Sequence, residues 1–287
     1  MGILIPPSVP MIFYGVMAQL SVGQLFMGGV FPGLILSTLF CLYIGIRSWL
    51  QPDLAPSVPP EERVGWLEKF ALLRGIILPA LLIFGVLGSI FLGVATPTEA
   101  AAVGAFGSLV CAAVHRRLNW KLVTEAGLRT LRMTCMVMWI LVGAHCYTVT
   151  YNALGGQELI RNLLMGLEVN RWTILIAMQL TYFFLGMILE PLAIIMLTVP
   201  VYVPVIIQLG FNPLWFGILF FVNMEMAFLT PPFGFTLFYM RALAPKEITM
   251  GDIYRSIIPF VALQAIGLAI VMIFPQLALW LPSLMLR

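Results

Sequence analysis

The chain has 287 residues, 61% of them hydrophobic and only 9% charged, with a net charge of +3. Its 15 Lys and Arg and 12 Asp and Glu are too few to coat a soluble fold of this length, and so small an excess of positive charge does not suit a nucleic-acid surface. A mean hydropathy of +1.04 instead describes an all-α protein of many membrane segments, in which apolar side chains face lipid.

A hydrocarbon core takes roughly 20 helical residues to cross. Residues 9–20 are apolar but short, and Pro6, Pro7 and Pro10 precede or open them, so they read as half a span. Residues 25–46 read as a full helix containing Pro32. Residues 47–70 form a polar connection whose first half, with Pro52, Pro56, Pro59 and Pro60, resists helix formation and whose second half suits the membrane surface. Residues 71–94 re-enter the bilayer. ATPTEAAAVGAFG at 95–107 then starts an alanine-rich helix, with Thr96 or Thr98 as its cap and Glu99 in its first turn.

A basic stretch follows, with Arg116, Arg117, Lys121, Arg129 and Arg132 against the single acid Glu125; the positive-inside rule makes 115–132 a cytoplasmic loop. Residues 133–151 are a span containing His145, and 157–171 suit an interfacial amphipathic segment. Two apolar runs, 172–189 and 191–209, are divided at GMILEP. A further run, 214–229, ends at Thr230-Pro231-Pro232 and resumes briefly over 233–243. Residues 256–280 close the chain, with breaks at Pro259 and Pro275. Cys41, Cys111, Cys135 and Cys146 lie in or beside apolar runs without metal-type spacing and read as small buried hydrophobes.

One pattern occurs twice: GILIPPSVPMIFYG at 2–15 and AFLTPPFGFTLFYM at 227–240. A Pro-Pro pair interrupts the helical ladder and frees backbone carbonyls. At membrane depth such a break survives where it lines a site or packs inside protein, and paired breaks mark secondary transporters built from repeats. The plain alternative is two unrelated kinks. Three carboxylates, Glu99, Glu190 and Glu225, lie in or near apolar stretches and must avoid lipid when ionised. Each has a structural explanation: a first-turn acid for Glu99, a hairpin turn near water for Glu190, an internal pairing for Glu225. Glu190 and Glu225 also sit beside breaks, and Asn223, Thr230 and Thr236 supply neutral oxygens suited to a dehydrated sodium ion. His145 reads as a neutral histidine hydrogen-bonded in the bundle. No HExxH or GxSxG is present, so the chain is not read as an enzyme.

GILIPPS at 2–8, ATPTEAAAVGA at 95–105, GMILEPLAIIMLTVPVYVPV at 186–205 and NMEMAFLTPPFG at 223–234, in this order, make the chain resemble the large membrane subunit of the tripartite ATP-independent periplasmic (TRAP) transporters. The resemblance implies an elevator-type fold of inverted repeats, helical hairpins and interrupted helices. It also implies a multi-pass place in the bacterial inner membrane, a small membrane subunit and a periplasmic binding protein as partners, and sodium-coupled import of organic acids such as dicarboxylates, with no cofactor beyond Na+. It places the second-repeat hairpin around 186–204, one interrupted helix at 223–234 and the other at 2–8. The family has a complete first repeat ahead of the GILIPPS-like segment, so the match is to its C-terminal two-thirds. Residues 1–46 are then the tail of the first repeat, 47–70 a connecting segment and 71–287 the second repeat.

The expected sodium and substrate residues are Gly2, Pro6, Pro7, Ser8, Gly186, Glu190, Asn223, Glu225, Thr230, Pro231, Pro232, Gly234 and Thr236, with Thr96, Thr98 and Glu99 in a structural or interface role. Every Lys and Arg lies at or beyond a segment end, so sodium would supply the positive charge for an anionic solute. Three alternatives stay open: a non-transporting fragment, an assembly subunit, and a carrier coupled to protons through Glu190 or Glu225.

Overall fold

The computed structural model of the chain describes residues 2–52, 65–156, 158–159, 170–232, 234–245 and 248–285. Among them are eleven α-helices and no strand. Five helices are long and apolar enough to cross a membrane, and three shorter helical stretches, Val9–Ala18, Gly75–Phe91 and Pro213–Ala227, are also apolar. The chain is therefore an all-α polytopic membrane protein. It falls into two compact units, Met1–Leu39 with Thr134–Leu284, and Phe40–Met133 with Met285–Arg287.

In the first unit, α1 (Val9–Ala18) opens with Pro10 in its first turn and ends at Gln19 in the left-handed conformation, φ 55°. The chain turns there, and Val22 and Leu25 of α2 (Val22–Leu50) come to rest against Gly15 of α1. On α2, Gly29 and Gly33, one turn apart, let the Leu4–Ile5 segment lie directly on the helix. A Cβ on Gly29 would collide with the Leu4 carbonyl oxygen, and one on Gly33 would sit 2.6 Å from the Ile5 side chain. Farther along, Leu36 fills the space left by Gly267.

Helices α6 (Arg171–Gly186) and α7 (Pro191–Gln208) form an antiparallel hairpin, and α8 (Pro213–Ala227) runs parallel to α6. Trp172 meets Trp215 near the start of this pair, and Gly186 meets Ala227 at its end. Every residue of α8 from Leu214 to Ala227 is buried, which makes it the axis of the unit. Around it pack Tyr14 of α1, against Phe220 and Phe221, and Tyr182 of α6, whose ring centroid lies 4.8 Å from that of Phe220. After α9 (Phe235–Leu243), α10 (Met250–Ile273) returns along α8, where its Val271 carbonyl accepts the Trp215 indole N–H at 2.9 Å. The short α11 (Gln276–Ser283) packs on α8 and α2, with Trp280 against Phe31.

In the second unit, α3 (Trp66–Phe91) packs on α4 (Pro97–Val114), with Gly107 receiving Leu82. Phe84, Phe106, Val103 and Leu81 are exposed, as expected of side chains that meet lipid.

Two expectations are corrected. The basic stretch 115–132 is a loop only to Asn119; from Trp120 it belongs to α5 (Trp120–Ala153), which continues into the apolar run, because charged side chains do not interrupt a helical ladder and no proline intervenes. Pro259 does not break the closing segment either, since α10 continues through it; the interruption falls at Phe274–Pro275. The interfacial segment expected at 157–171 and the proline-rich half of 47–70 fall largely outside the described residues.

If the glycine stripe seats the first break, Gly29→Ala should destabilise the protein by about 1–3 kcal/mol, the range for overpacking a tight contact. Gly45→Ala, on the same helix but with nothing within 4 Å of its Cβ, should be neutral or stabilising by up to about 1 kcal/mol. Thermal unfolding in detergent compares the two, and equal melting temperatures would refute the seating.

Candidate functional site: two helix breaks and a hairpin turn

The second break begins where α8 ends. Phe228, Leu229 and Thr230 turn back on it, with their N–H groups donating to Met224, Met226 and Ala227 at 3.0–3.2 Å. Pro231 and Pro232, joined by a cis peptide bond, cannot extend the ladder. Gly234 then takes φ +41°, where a Cβ would also lie 2.7 Å from Leu237, so glycine alone turns the chain into α9 at little cost. Thr236 Oγ1 donates to the Phe228 carbonyl at 3.0 Å and ties the far side of the break to the near side. Thr230 Oγ1 donates to Met226 at 2.9 Å.

The first break is built similarly. Pro6-Pro7 is also cis. Ser8 is buried, and its hydroxyl reaches back to the Ile3 carbonyl at 2.6 Å, which folds the segment into a loop ahead of α1. The Ile3 N–H in turn donates to Glu225 Oε1 at 3.3 Å. Glu225 is buried near the end of α8, so this contact brings the first break within one helical turn of the second.

The hairpin turn reaches the same level. Gly186 closes α6 so tightly against α8 that a Cβ there would lie 2.6 Å from the Ala227 Cβ and 2.9 Å from Met224 Cε. Beyond it, Glu190 caps the start of α7 with an exposed side chain that makes no cap bond. Two breaks and one turn, remote in sequence, thus meet at the end of α8. Among the described residues, the carbonyls of Ile5, Leu229 and Thr230 accept no hydrogen bond, so oxygen ligands are available there.

Glu225 and Ser8 thus meet through Ile3, Gly186 lies against Ala227, and Thr236 reaches Phe228, with Pro6, Pro7, Thr230, Pro231, Pro232 and Gly234 adjoining these contacts in the chain and Glu190 on the exposed edge of the turn. Gly2 is exposed and has open space where a side chain would be. Asn223 points elsewhere. Its Nδ2 donates to the Gln179 carbonyl at 2.7 Å and to Gln179 Oε1 at 2.9 Å, between α8 and α6. In the second unit, Thr96 and Glu99 form a reciprocal capping box: the Glu99 carboxylate accepts from the Thr96 N–H and hydroxyl at 2.8 Å each, and Thr96 Oγ1 accepts the Glu99 N–H at 3.3 Å. Thr98 lies in the first turn of that helix.

Sequence reasoning missed the buried polar residues Gln179 and Gln264 and the buried phenols Tyr14 and Tyr182. A glutamine in the apolar run AMQLTYFF was the available signal. His145, expected inside the bundle, is exposed and lines a cavity of 910 Å³ with Gln19, Pro200 and Pro204. That cavity lies at the opposite end of α7 from the breaks.

With this geometry in view, comparison with known proteins is decisive for the family. Residues 1–277 match the tripartite ATP-independent periplasmic transporter, DctM component, and the chain belongs to that family. It is 32% identical over 284 residues to the C4-dicarboxylate TRAP transporter large permease protein DctM of Pseudomonas aeruginosa, a match that covers 99% of this chain and 65% of the relative. It is 31% identical over 288 residues to the sialic acid TRAP transporter large permease protein SiaM of Vibrio cholerae, with the same coverages of 99% and 65%. It is also 31% identical over 287 residues to the isethionate TRAP transporter permease protein DctMQ of Oleidesulfovibrio alaskensis, covering 97% of this chain and 43% of the relative. The chain thus spans about 65% of the length of the large-permease relatives DctM and SiaM.

The Glu225–Ile3 contact has a direct test. Glu225→Gln keeps an acceptor for the Ile3 N–H, whereas Glu225→Leu removes it and should cost about 1–3 kcal/mol, the range for leaving a buried donor without its partner. Backbone hydrogen exchange at residues 3–8 should accelerate in Glu225→Leu and stay near wild type in Glu225→Gln. Equal exchange in the two variants would show that the first break does not depend on this carboxylate.

Proposed function

We propose that this polypeptide is the permease part of a sodium-coupled importer of organic acids in the bacterial inner membrane. It would work with a small membrane subunit and a periplasmic binding protein that delivers the solute. The observation that carries the proposal is the convergence of two Pro-Pro breaks and a hairpin turn around the end of α8, with backbone carbonyls left open beside Thr230. Such a shell of neutral oxygens suits a dehydrated monovalent cation, and helix breaks at the midplane are where secondary transporters bind substrate and ion.

The relatives named for C4-dicarboxylates, sialic acid and isethionate support an organic anion as the solute. With Lys and Arg confined to segment ends, the bound cation would supply the charge that the anion needs. A permease of this kind needs no resident cofactor and no covalent chemistry.

Proteoliposomes holding this chain, the small subunit and the binding protein test the coupling, beside a version extended upstream to the length of the relatives. Uptake of labelled dicarboxylate that rises with an inward sodium gradient is expected from the extended version. Uptake indifferent to sodium would overturn the scheme, and Glu190→Gln or Glu225→Gln would then identify a proton-coupled route by loss of its pH response. If only the extended version transports, this chain acts as part of a larger carrier.

A further inference from the structure

The two arms of the hairpin are held in different ways. The first arm, α6, is bound to α8 by a polar lock inside an otherwise apolar bundle. Asn223 Nδ2 donates both to the Gln179 carbonyl at 2.7 Å and to Gln179 Oε1 at 2.9 Å, and both residues are at most 3% exposed. Gln179 Nε2 and Asn223 Oδ1 are buried without a partner among the described residues. One is a donor and the other an acceptor, and both belong to the amides that already touch, so one water molecule between them would satisfy both and complete the lock. Hydrogen bonds of this kind are directional and tolerate little sliding.

Among the described residues, the second arm, α7, is well packed but has no comparable buried amide pair. It meets α6 through the ring of Tyr202, 5.2 Å from that of Tyr182, and through Thr198 Oγ1 to the Tyr182 hydroxyl at 3.4 Å, and the same Thr198 hydroxyl has a better acceptor, the Ile194 carbonyl, at 2.7 Å. Pro200 and Pro204 each remove a bond from the ladder of α7, and Glu190 leaves its start without a side-chain cap. α1 packs along it, and the 910 Å³ cavity beside Val199, Pro200, Val203 and Pro204, at the end away from the turn, leaves room for that end to tilt.

We propose that Gln179 and Asn223 are positioning residues that lock the first hairpin arm to the helix entering the second break, so that opening and closing of the turn is carried by α7 alone. This rests on the transport function proposed above, in which the turn at Gly186–Glu190 borders the site. It also gives Asn223 a role other than direct contact with the ion or the solute.

Hydrogen exchange on the full chain in lipid nanodiscs tests the lock without requiring transport. In sodium-free buffer, amides 174–186 should exchange about tenfold more slowly than amides 192–203. Asn223→Leu or Gln179→Leu alone should lower the melting temperature and abolish that gap. The double variant Gln179→Leu/Asn223→Leu leaves no amide stranded and should recover most of the melting temperature while the gap stays closed. Equal exchange of the two arms in the wild type would overturn the proposal, as would a double variant that recovers both stability and the gap. Adding sodium should then slow 192–203 and leave 174–186 unchanged. A gap that persists with no response to sodium upholds the lock and refutes sodium coupling, whereas slowing of both arms equally refutes movement by α7 alone.

Discussion

A broken helix inside a bilayer must find partners for its backbone without water, and the first unit is organised around that requirement. A carboxylate buried in a membrane helix needs polar partners, and Glu225 lies near the end of the most buried of the described helices. One partner is the Ile3 N–H, a donor of the first break. Ser8, Thr230 and Thr236 perform the same service at shorter range, each hydroxyl donating to a carbonyl of its own break. What these bonds leave unsatisfied is a small set of carbonyls around the end of α8.

The packing follows from the same constraint. Because the breaks are irregular, they need flat, close surfaces to rest on, and glycine provides them. Gly29 and Gly33 receive the first break, Gly186 brings the hairpin turn against Ala227, and Gly217 leaves space for the ring of Tyr14. In lipid, where apolar surface gains little from burial, such close approach of small residues is a main source of helix association. The aromatic cluster of Tyr14, Tyr182, Phe216 and Phe220 then fills the larger gaps around α8.

The parts legible in the sequence were those where local chemistry decides the outcome. Pro6-Pro7 and Pro231-Pro232 end helices because proline has no N–H, and Thr96 with Glu99 caps a helix because the two lie three residues apart. The hairpin division at GMILEP was visible for the same reason. Long-range choices were not legible. Nothing in the residues around Asn223 shows which way its amide points; Gln179, its partner 44 positions away, settles that. The basic run at 120–132 resembles a loop by its charge, but exposure and helicity are independent there. Pro259 was read as a break, yet a proline inside a long membrane helix is tolerated when the flanking turns stay packed.

The direction of the helices has an electrostatic consequence. At the breaks and the turn, α6 and α8 present their C-terminal ends, while α1, α7 and α9 present their N-terminal ends. Each C-terminal end carries about −0.5 of an elementary charge and each N-terminal end about +0.5. Partial charges of both signs therefore lie side by side, two negative ends against three positive ones, with a small positive excess of about +0.5. A cation can face the ends of α6 and α8 while an anion faces those of α1, α7 and α9, so the backbone alone offers each sign of charge its own place.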